Sequence, residues 1–225
     1  MHVRWYGQSA FHLATGGRAV FLDPFHLPDA ERAARGIRIA YPPIRDAQAD
    51  LLLITHEHFD HNAAEAVGGD PLVIRSTAGT LDSPLGRVTA IASEHDPEAG
   101  TRRGPNTIFV LECGGLRVCH CGDFGQTALR PEQRRAVGRV DLLLLPVGGG
   151  PTVGADGALE LVRQISPRWV VPMHYRTPAL NFLEPADAFL ARFERVHRCA
   201  TSAFCTTELP PAADPPLVVL PAVPA

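Results

Sequence analysis

The sequence predicts an α/β sandwich with helices covering its outer faces, and three observations predict it. Short strand-like runs separated by Gly and Pro fill the first half of the chain. A second strand-rich half follows, and helical stretches join the strands in both. Sheets that alternate with helices bury their faces beneath them, which is the layered α/β solution.

Residues 3–6, 10–14 and 18–22 read as strands, the last two joined by Thr15-Gly16-Gly17 as a hairpin turn. Asp23-Pro24 ends the third and opens a long irregular segment, 25–50, with a helix expected near 29–35. Connections of that length serve a site or hold structure of their own. The wholly apolar run 51–55 reads as a strand, followed by a short helix at 63–67. Further strands are expected at 72–75 and 87–92. Residues 107–112 and 116–121 flank Cys113-Gly114-Gly115 as a second hairpin. Pro131 opens a helix over 131–137, where a missing N–H is tolerated. A buried strand at 141–146 leads through Val147-Gly148-Gly149-Gly150-Pro151 into a helix at 155–165. A strand at 168–172 and a helix at 184–193 follow, and the Pro- and Ala-rich tail after Leu209 reads as irregular. With no repeat and no linker, one domain over 1–225 is expected.

The composition is that of a globular protein: 225 residues, 45% apolar, 20% charged, formal net charge −3. No basic run offers a footprint for nucleic acid. Five cysteines, an odd number, do not suggest a disulfide framework. Met1 to Gly7 carries no apolar h-region and no segment approaches a membrane span, so a cytoplasmic protein is expected.

The chemistry concentrates in Leu51-Leu52-Leu53-Ile54-Thr55-His56-Glu57-His58-Phe59-Asp60-His61-Asn62. Strand alternation puts His56 and His58 on one side of an extended backbone, where both can reach one metal at about 2.0–2.1 Å. A turn after Phe59 can carry Asp60 and His61 to a second point nearby. His95, Asp123 and His174 each follow a predicted strand, and strand ends in layered α/β folds converge on one rim. Burying so many polar groups without a cation would incur repeated desolvation costs.

The order HxHxDH, a lone His, Gly-Asp after a strand and a His after another resembles the ligand order of the metallo-β-lactamase superfamily. "WYGQSAFHLATGGRAVFLDPF" resembles its opening strands. "NTIFVLECGGLRVCHCGDFGQ" and "LLLLPVGGGPTVGADGALELVRQISPRWVVPMHY" resemble its lactonase-like branch. The resemblance implies an αββα four-layer sandwich and a metal-dependent hydrolase with two divalent ions, zinc foremost, with manganese or iron as alternatives. His56, His58 and His95 would hold the first metal. Asp60, His61 and His174 would hold the second, with Asp123 bridging both. The neighbours of His95, Glu94 and Asp96, depart from the small residues associated with that motif. A metal-bound hydroxide, formed because zinc lowers the pKa of water from 15.7 to about 7, would attack a small-molecule lactone, ester, amide or phosphoester. Asp60 would orient it and receive its proton.

Other polar residues carry weaker signals. Asp23 reads equally as a partner of a ligand histidine or as a carboxylate capping backbone amides. His120 alternates away from Asp123 and reads as a core histidine, and Cys119 and Cys121 read as small buried hydrophobes. The triple glycine could cradle an anion or form a tight loop beneath the site. His2, His12, His26 and His197 read as structural or solvated. Tyr175, Arg176 and the 25–50 segment could border a substrate, with Arg35, Arg38 or Arg45 meeting an anionic group. Two alternatives stand beside the hydrolase. A flavodiiron-like oxidoreductase places Glu where this chain has His58, and a nuclease resembling ribonuclease Z needs an RNA-gripping arm.

Overall fold

The computed structural model describes residues 1–211 and 216–225. Its strands in chain order are β1 (His2–Gly7), β2 (Ala10–Thr15), β3 (Arg18–Leu22), β4 (Leu51–Ile54), β5 (Leu72–Arg75), β6 (Gly79–Ser83), β7 (Gly86–Glu94), β8 (Pro105–Cys113) and β9 (Leu116–His120). They continue with β10 (Leu142–Pro146), β11 (Trp169–Met173), β12 (Val196–Arg198), β13 (Ala203–Cys205) and β14 (Leu217–Leu220). The helices are α1 (Ala30–Ala34), α2 (Pro131–Val137), α3 (Ala155–Ile165) and α4 (Asp187–Leu190).

Two mixed sheets form, one ordered β13-β1-β2-β3-β4-β5 and the other β12-β14-β11-β10-β9-β8-β7-β6. In the first, β1, β2 and β3 are antiparallel and β3, β4 and β5 are parallel. In the second, β6 to β9 form an antiparallel meander and β9, β10, β11 and β14 run parallel. These pairings send β1, β3 and β4 out at one end of their sheet, and β7, β9 and β11 out at one end of the other.

Strand β4 shows why the opening apolar run has no polar alternation. Leu51 and Leu53 join the core between the sheets, whereas Leu52 and Ile54 join a second cluster on the outer face. A strand covered on both faces reads as continuously hydrophobic. That outer cover is not a helix. It is Phe25, Ile39, Tyr41, Ile44, Ala47 and Ala49 from the irregular segment, joined by Ala179, Leu180 and Leu183. Helix α1 buries no residue. The expected fold of two mixed sheets with flanking helices is present, and among the described residues the packed helices lie with the second sheet, where α2 packs on β7 and α3 packs against α4. Helix α3 buries Ala158, Leu161, Val162 and Ile165, the spacing of one helical stripe.

Several elements differ from the sequence reading. Residues 63–67 make a single 3-10 turn, Ala64–Ala66. The helix expected at 184–193 shrinks to Asp187–Leu190, because a backbone bridge ties Arg176 to Pro185 and holds the preceding residues extended. Strands β6, β12 and β13 were not expected; β12 and β13 are three residues each, too short for alternation to be read. The tail after Leu209 is not irregular throughout. Its Leu217–Leu220 run inserts between β11 and β12 with Val218 and Val219 fully buried, and its flanking prolines mark the strand's ends. The part of that tail at 212–215 lies outside the described residues. Among the described residues no helix is long and apolar enough to cross a membrane.

The double-sided burial of β4 predicts that Leu52→Ala and Leu53→Ala each cost about 2–5 kcal/mol. Urea unfolding checks this. A solvated outer face would instead leave Leu52→Ala within about 0.5 kcal/mol of wild type.

Candidate metal centre

The site is assembled at strand ends. Gln8 follows β1, Asp23 follows β3, Thr55 to His61 follow β4, His95 follows β7, Asp123 follows β9 and His174 follows β11. Gln8, Asp23 and His174 adopt left-handed backbone conformations, with φ of 54°, 44° and 50°. Such conformations cost of order 1–3 kcal/mol in non-glycine residues and persist where the surroundings over-determine them. Two glycines allow close approach. A Cβ on Gly122 (φ 55°) would collide with Asn106 and Thr55, and one on Gly148 would collide with the His174 backbone.

The structure brings together all seven side chains singled out in the sequence. His56, His58 and His95 form one group, Asp60, His61 and His174 another, and His56, His61 and Asp123 a third that joins them. Within each group the potential ligand atoms lie within 4.8 Å of one another. His56, His61, His95, Asp123 and His174 are almost wholly buried, Asp60 is buried and His58 is partly open. Asp123 Oδ2 lies 3.0 Å from His95 Nε2 and 3.2 Å from His174 Nε2, and its Oδ1 lies 3.3 Å from His61 Nε2.

Three of the imidazoles, those of His56, His61 and His95, are aimed by their other nitrogen. Asp23 Oδ1 accepts from the Thr55 backbone N–H at 2.8 Å, and Oδ2 accepts from the Thr55 hydroxyl at 2.8 Å. The hydroxyl, having donated its hydrogen, accepts from His56 Nδ1 at 2.9 Å. Asp23 Oδ2 also accepts from His61 Nδ1 at 3.0 Å. Both rings therefore turn Nε2 toward the centre, and Asp23 fills both roles left open by the sequence, histidine partner and backbone cap. His95 Nδ1 donates to the Pro151 carbonyl at 2.9 Å, again presenting Nε2. Asp123 is placed by Asn106, whose Oδ1 accepts from the Asp123 N–H while its amide donates to Cys121 O and Ser93 Oγ. Gln8 Nε2 donates to Asp60 Oδ2 at 2.6 Å, and the Gln8 carbonyl accepts from the His174 N–H.

The electrostatics favour a positive charge at the centre. Burial raises Asp123, yet His174, His61 and His95 outweigh it and hold the carboxyl well below the usual carboxylate range. Burial likewise pushes His61 toward its neutral form, but Asp123, Asp23 and Asp60 together lift it well above the ordinary imidazole. His56 is driven down by burial and by the neighbouring His61. The carboxylates around this point therefore favour positive charge there, a demand that a metal cation would meet. His61 Nε2 and Asp123 Oδ1 are buried with no hydrogen-bond partner. These donors fit a divalent metal.

The remaining candidates separate cleanly. His120 accepts from the Gly122 N–H at Nδ1 and donates from Nε2 to Ser9 O, packed edge-on to Phe11, so it is a core histidine that braces the turn before Asp123. Gly148 N–H donates to His174 O and Gly149 N–H to Val153 O, so this loop buttresses His174. Cys119 and Cys121 are buried in the core. His12 bonds Gln48 O, and His26 lies 3.3 Å from Glu65. Tyr175 is not at a substrate border: it is buried and stacked on Trp5. Arg176 donates to Leu183 O, Arg35 pairs with Glu31, and none of Arg35, Arg38 or Arg45 lines the cleft over the centre. That cleft, about 680 Å3, is lined from the 25–50 segment by Arg32 and Ile37. Gln8, Thr55, Asn106 and Arg103 escaped the sequence reading; only Thr55, the polar residue that ends the apolar run, carried a visible signal.

The chain matches the family model described as a β-lactamase superfamily domain over residues 2–174. It is similar to a UPF0173 protein of Pyrococcus abyssi, 31% identical over 199 residues, 79% of this chain and 84% of that one. A UPF0173 metal-dependent hydrolase of Pyrobaculum arsenaticum is 30% identical over 227 residues, 88% of this chain and 94% of its own. Among solved structures, a proposed Zn-dependent hydrolase of the metallo-β-lactamase superfamily from Thermotoga maritima superposes with a TM-score of 0.76 at 30% identity, covering 97% of each chain.

Asn106 holds three buried polar partners, so Asn106→Ala is expected to lower stability by at least about 1–3 kcal/mol, the cost of leaving such groups unpaired. Denaturant unfolding measures it; an unchanged midpoint would remove Asn106 from the frame of the site.

Proposed function

The chain belongs to the β-lactamase superfamily and, within it, to the UPF0173 family of metal-dependent hydrolases, and we propose that it hydrolyses a small molecule at a dinuclear metal centre. His56, His58 and His95 would hold one ion, Asp60, His61 and His174 the other, and Asp123 would bridge them, a division supported by the three side-chain groups. Zinc is the favoured metal, in keeping with the described metal of the Thermotoga maritima protein. The single observation that carries the reading is the pair of buried, unbonded atoms, His61 Nε2 and Asp123 Oδ1, inside a ring of imidazoles.

Held by these residues, divalent ions would supply water activation near neutral pH and compensation for negative charge developing on a carbonyl or phosphoryl oxygen. The chain's own residues do the rest. Asp60, anchored by Gln8, faces the cleft, where it orients the attacking water and receives its proton. Asp23 and Thr55 keep His56 and His61 in the tautomer that leaves Nε2 free. The cleft volume, about 680 Å3, suits a small ligand, and Ile37, Phe59 and Phe182 give its lining an apolar part. The substrate class is a lactone, ester, amide or phosphoester, with the lactonase-like chemistry foremost and nucleic acid disfavoured. The chain is read as one hydrolase domain.

Elemental analysis of the purified protein is expected to find two divalent ions per chain, and a hydrolase screen with that metal supplied to find turnover. Active protein with a metal content near zero ends the proposal. Asp23→Ala, which leaves every ligand in place, is expected to weaken metal affinity about 10–100-fold. Titration against a chromogenic chelator measures that loss, and unaltered affinity would deny Asp23 its role.

A further inference from the structure

We propose that the cleft recognises an anionic substrate, and that Arg103 is the residue that binds its oxyanion, a carboxylate or a phosphate monoester set apart from the bond to be cleaved. The inference rests on reading the cleft as the active site. It comes from the loop that runs from His95 to β8.

That loop is built around Asp96, which is 4% exposed. Asp96 Oδ1 accepts from the backbone N–H of Glu98 and Gly100, each at 2.9 Å, and Oδ2 accepts from the backbone N–H of Arg102 at 3.0 Å and of Arg103 at 2.8 Å. Ala99, Gly100 and Gly104 take left-handed conformations, with φ of 59°, 76° and 91°. One buried carboxylate thus winds the loop tightly, beginning directly after a candidate metal ligand. Its last cationic residue, Arg103, lines the cleft beside His58, Asp60 and Asp123.

Among the described residues the Arg103 guanidinium has no carboxylate within 4.0 Å, whereas the neighbouring cations are engaged. Arg102 lies 3.8 Å from Glu98, and Arg32, the other cleft arginine, is held by Asp29 and lies over the Phe59 ring. The cleft carboxylates are also committed. Glu57 is bound by Arg75 and Ser76, and Asp60 and Asp123 belong to the centre. A loop this well fixed therefore holds a guanidinium toward the cleft with nothing on the chain to pair it. A planar guanidinium matches carboxylate and phosphate oxygens in a two-pronged fork. Its charge adds to that of the ions in drawing anions to the cleft. The substrate class that follows is a small acid ester, lactone or amide carrying a second, ionised group.

The test compares kcat/KM for mono-4-nitrophenyl succinate, which carries a carboxylate, with that for neutral 4-nitrophenyl acetate. The ratio is expected to favour the succinate half-ester and to fall about tenfold in Arg103→Ala, the scale of one lost charge-assisted hydrogen bond. Arg103→Lys is expected to restore only part of it, and Arg102→Ala to keep the wild-type ratio. Succinate and inorganic phosphate, each tested as a competitor of the neutral ester, distinguish carboxylate from phosphate recognition. A ratio unchanged in Arg103→Ala, or an equal fall in Arg102→Ala, overturns the proposal. If neither ester turns over, the hydrolase reading has failed for this substrate class and the subsite is read separately. Phosphate and succinate are then titrated into the purified protein while the thermal midpoint is followed. A midpoint raised by either anion in wild type but not in Arg103→Ala supports the subsite; equal responses overturn it.

Discussion

The carboxylate of Asp23 is the constraint on which the site depends. It sits at the end of β3, fully buried, and three groups from one loop converge on its two oxygens: the Thr55 N–H, the Thr55 hydroxyl and His61 Nδ1. A buried charge is tolerable only when hydrogen-bonded, so the parallel pairing of β3 with β4 and the path of the loop after β4 must be settled together. Once they are, His56 and His61 have no freedom left in tautomer or tilt. Removing the carboxylate would leave the loop's own donors buried without partners, which is why one acidic residue outside the ligand set governs two within it.

The same economy appears on the far side of the centre, where Asn106, at the start of β8, positions Asp123 through its backbone rather than its side chain. Asp123 keeps its carboxylate oxygens for the histidines around it. His120 and Gly122 complete the turn, and substituted glycine would press on Asn106 and Thr55 alike. The two sheets therefore meet at this rim through polar groups, some paired with one another and others gathered around Asp123.

How much of this was legible in the sequence depended on whether the signal was local. The clustering of the seven candidate side chains was legible because each follows a strand and strand ends share a rim. The apolar run 51–55 announced β4 because both its faces are covered. The cover itself was not legible, since Phe25, Ile39, Tyr41 and Ile44 have no common period and are brought together by the long segment's path across the sheet. Strand β14 was hidden for a similar reason: four apolar residues between prolines read as a tail until β11 and β12 supply edges on both sides. Gln8 and Asn106 are single amides whose roles arise from contacts 52 and 17 residues away, to Asp60 and Asp123. No spacing rule finds such pairs.

The irregular segment also connects stability to recognition. By covering the outer face of the first sheet, it fixes Phe25 and Tyr41 in a packed cluster, while Arg32 and Ile37 from the same segment reach the cleft. Another part of the lining, Arg103, comes from the loop wound around Asp96, held by hydrogen bonds from backbone amides. Beyond the candidate ligands, which stand at strand ends, the cleft is bounded by connections, with Gly150, Pro151 and Phe182 joining these two. Changes in either connection can alter what is bound without disturbing the groups that would hold the ions. On the proposed reading the chemistry would belong to the rim of the sheets and selectivity to the loops above it, the arrangement expected where one scaffold serves many substrates.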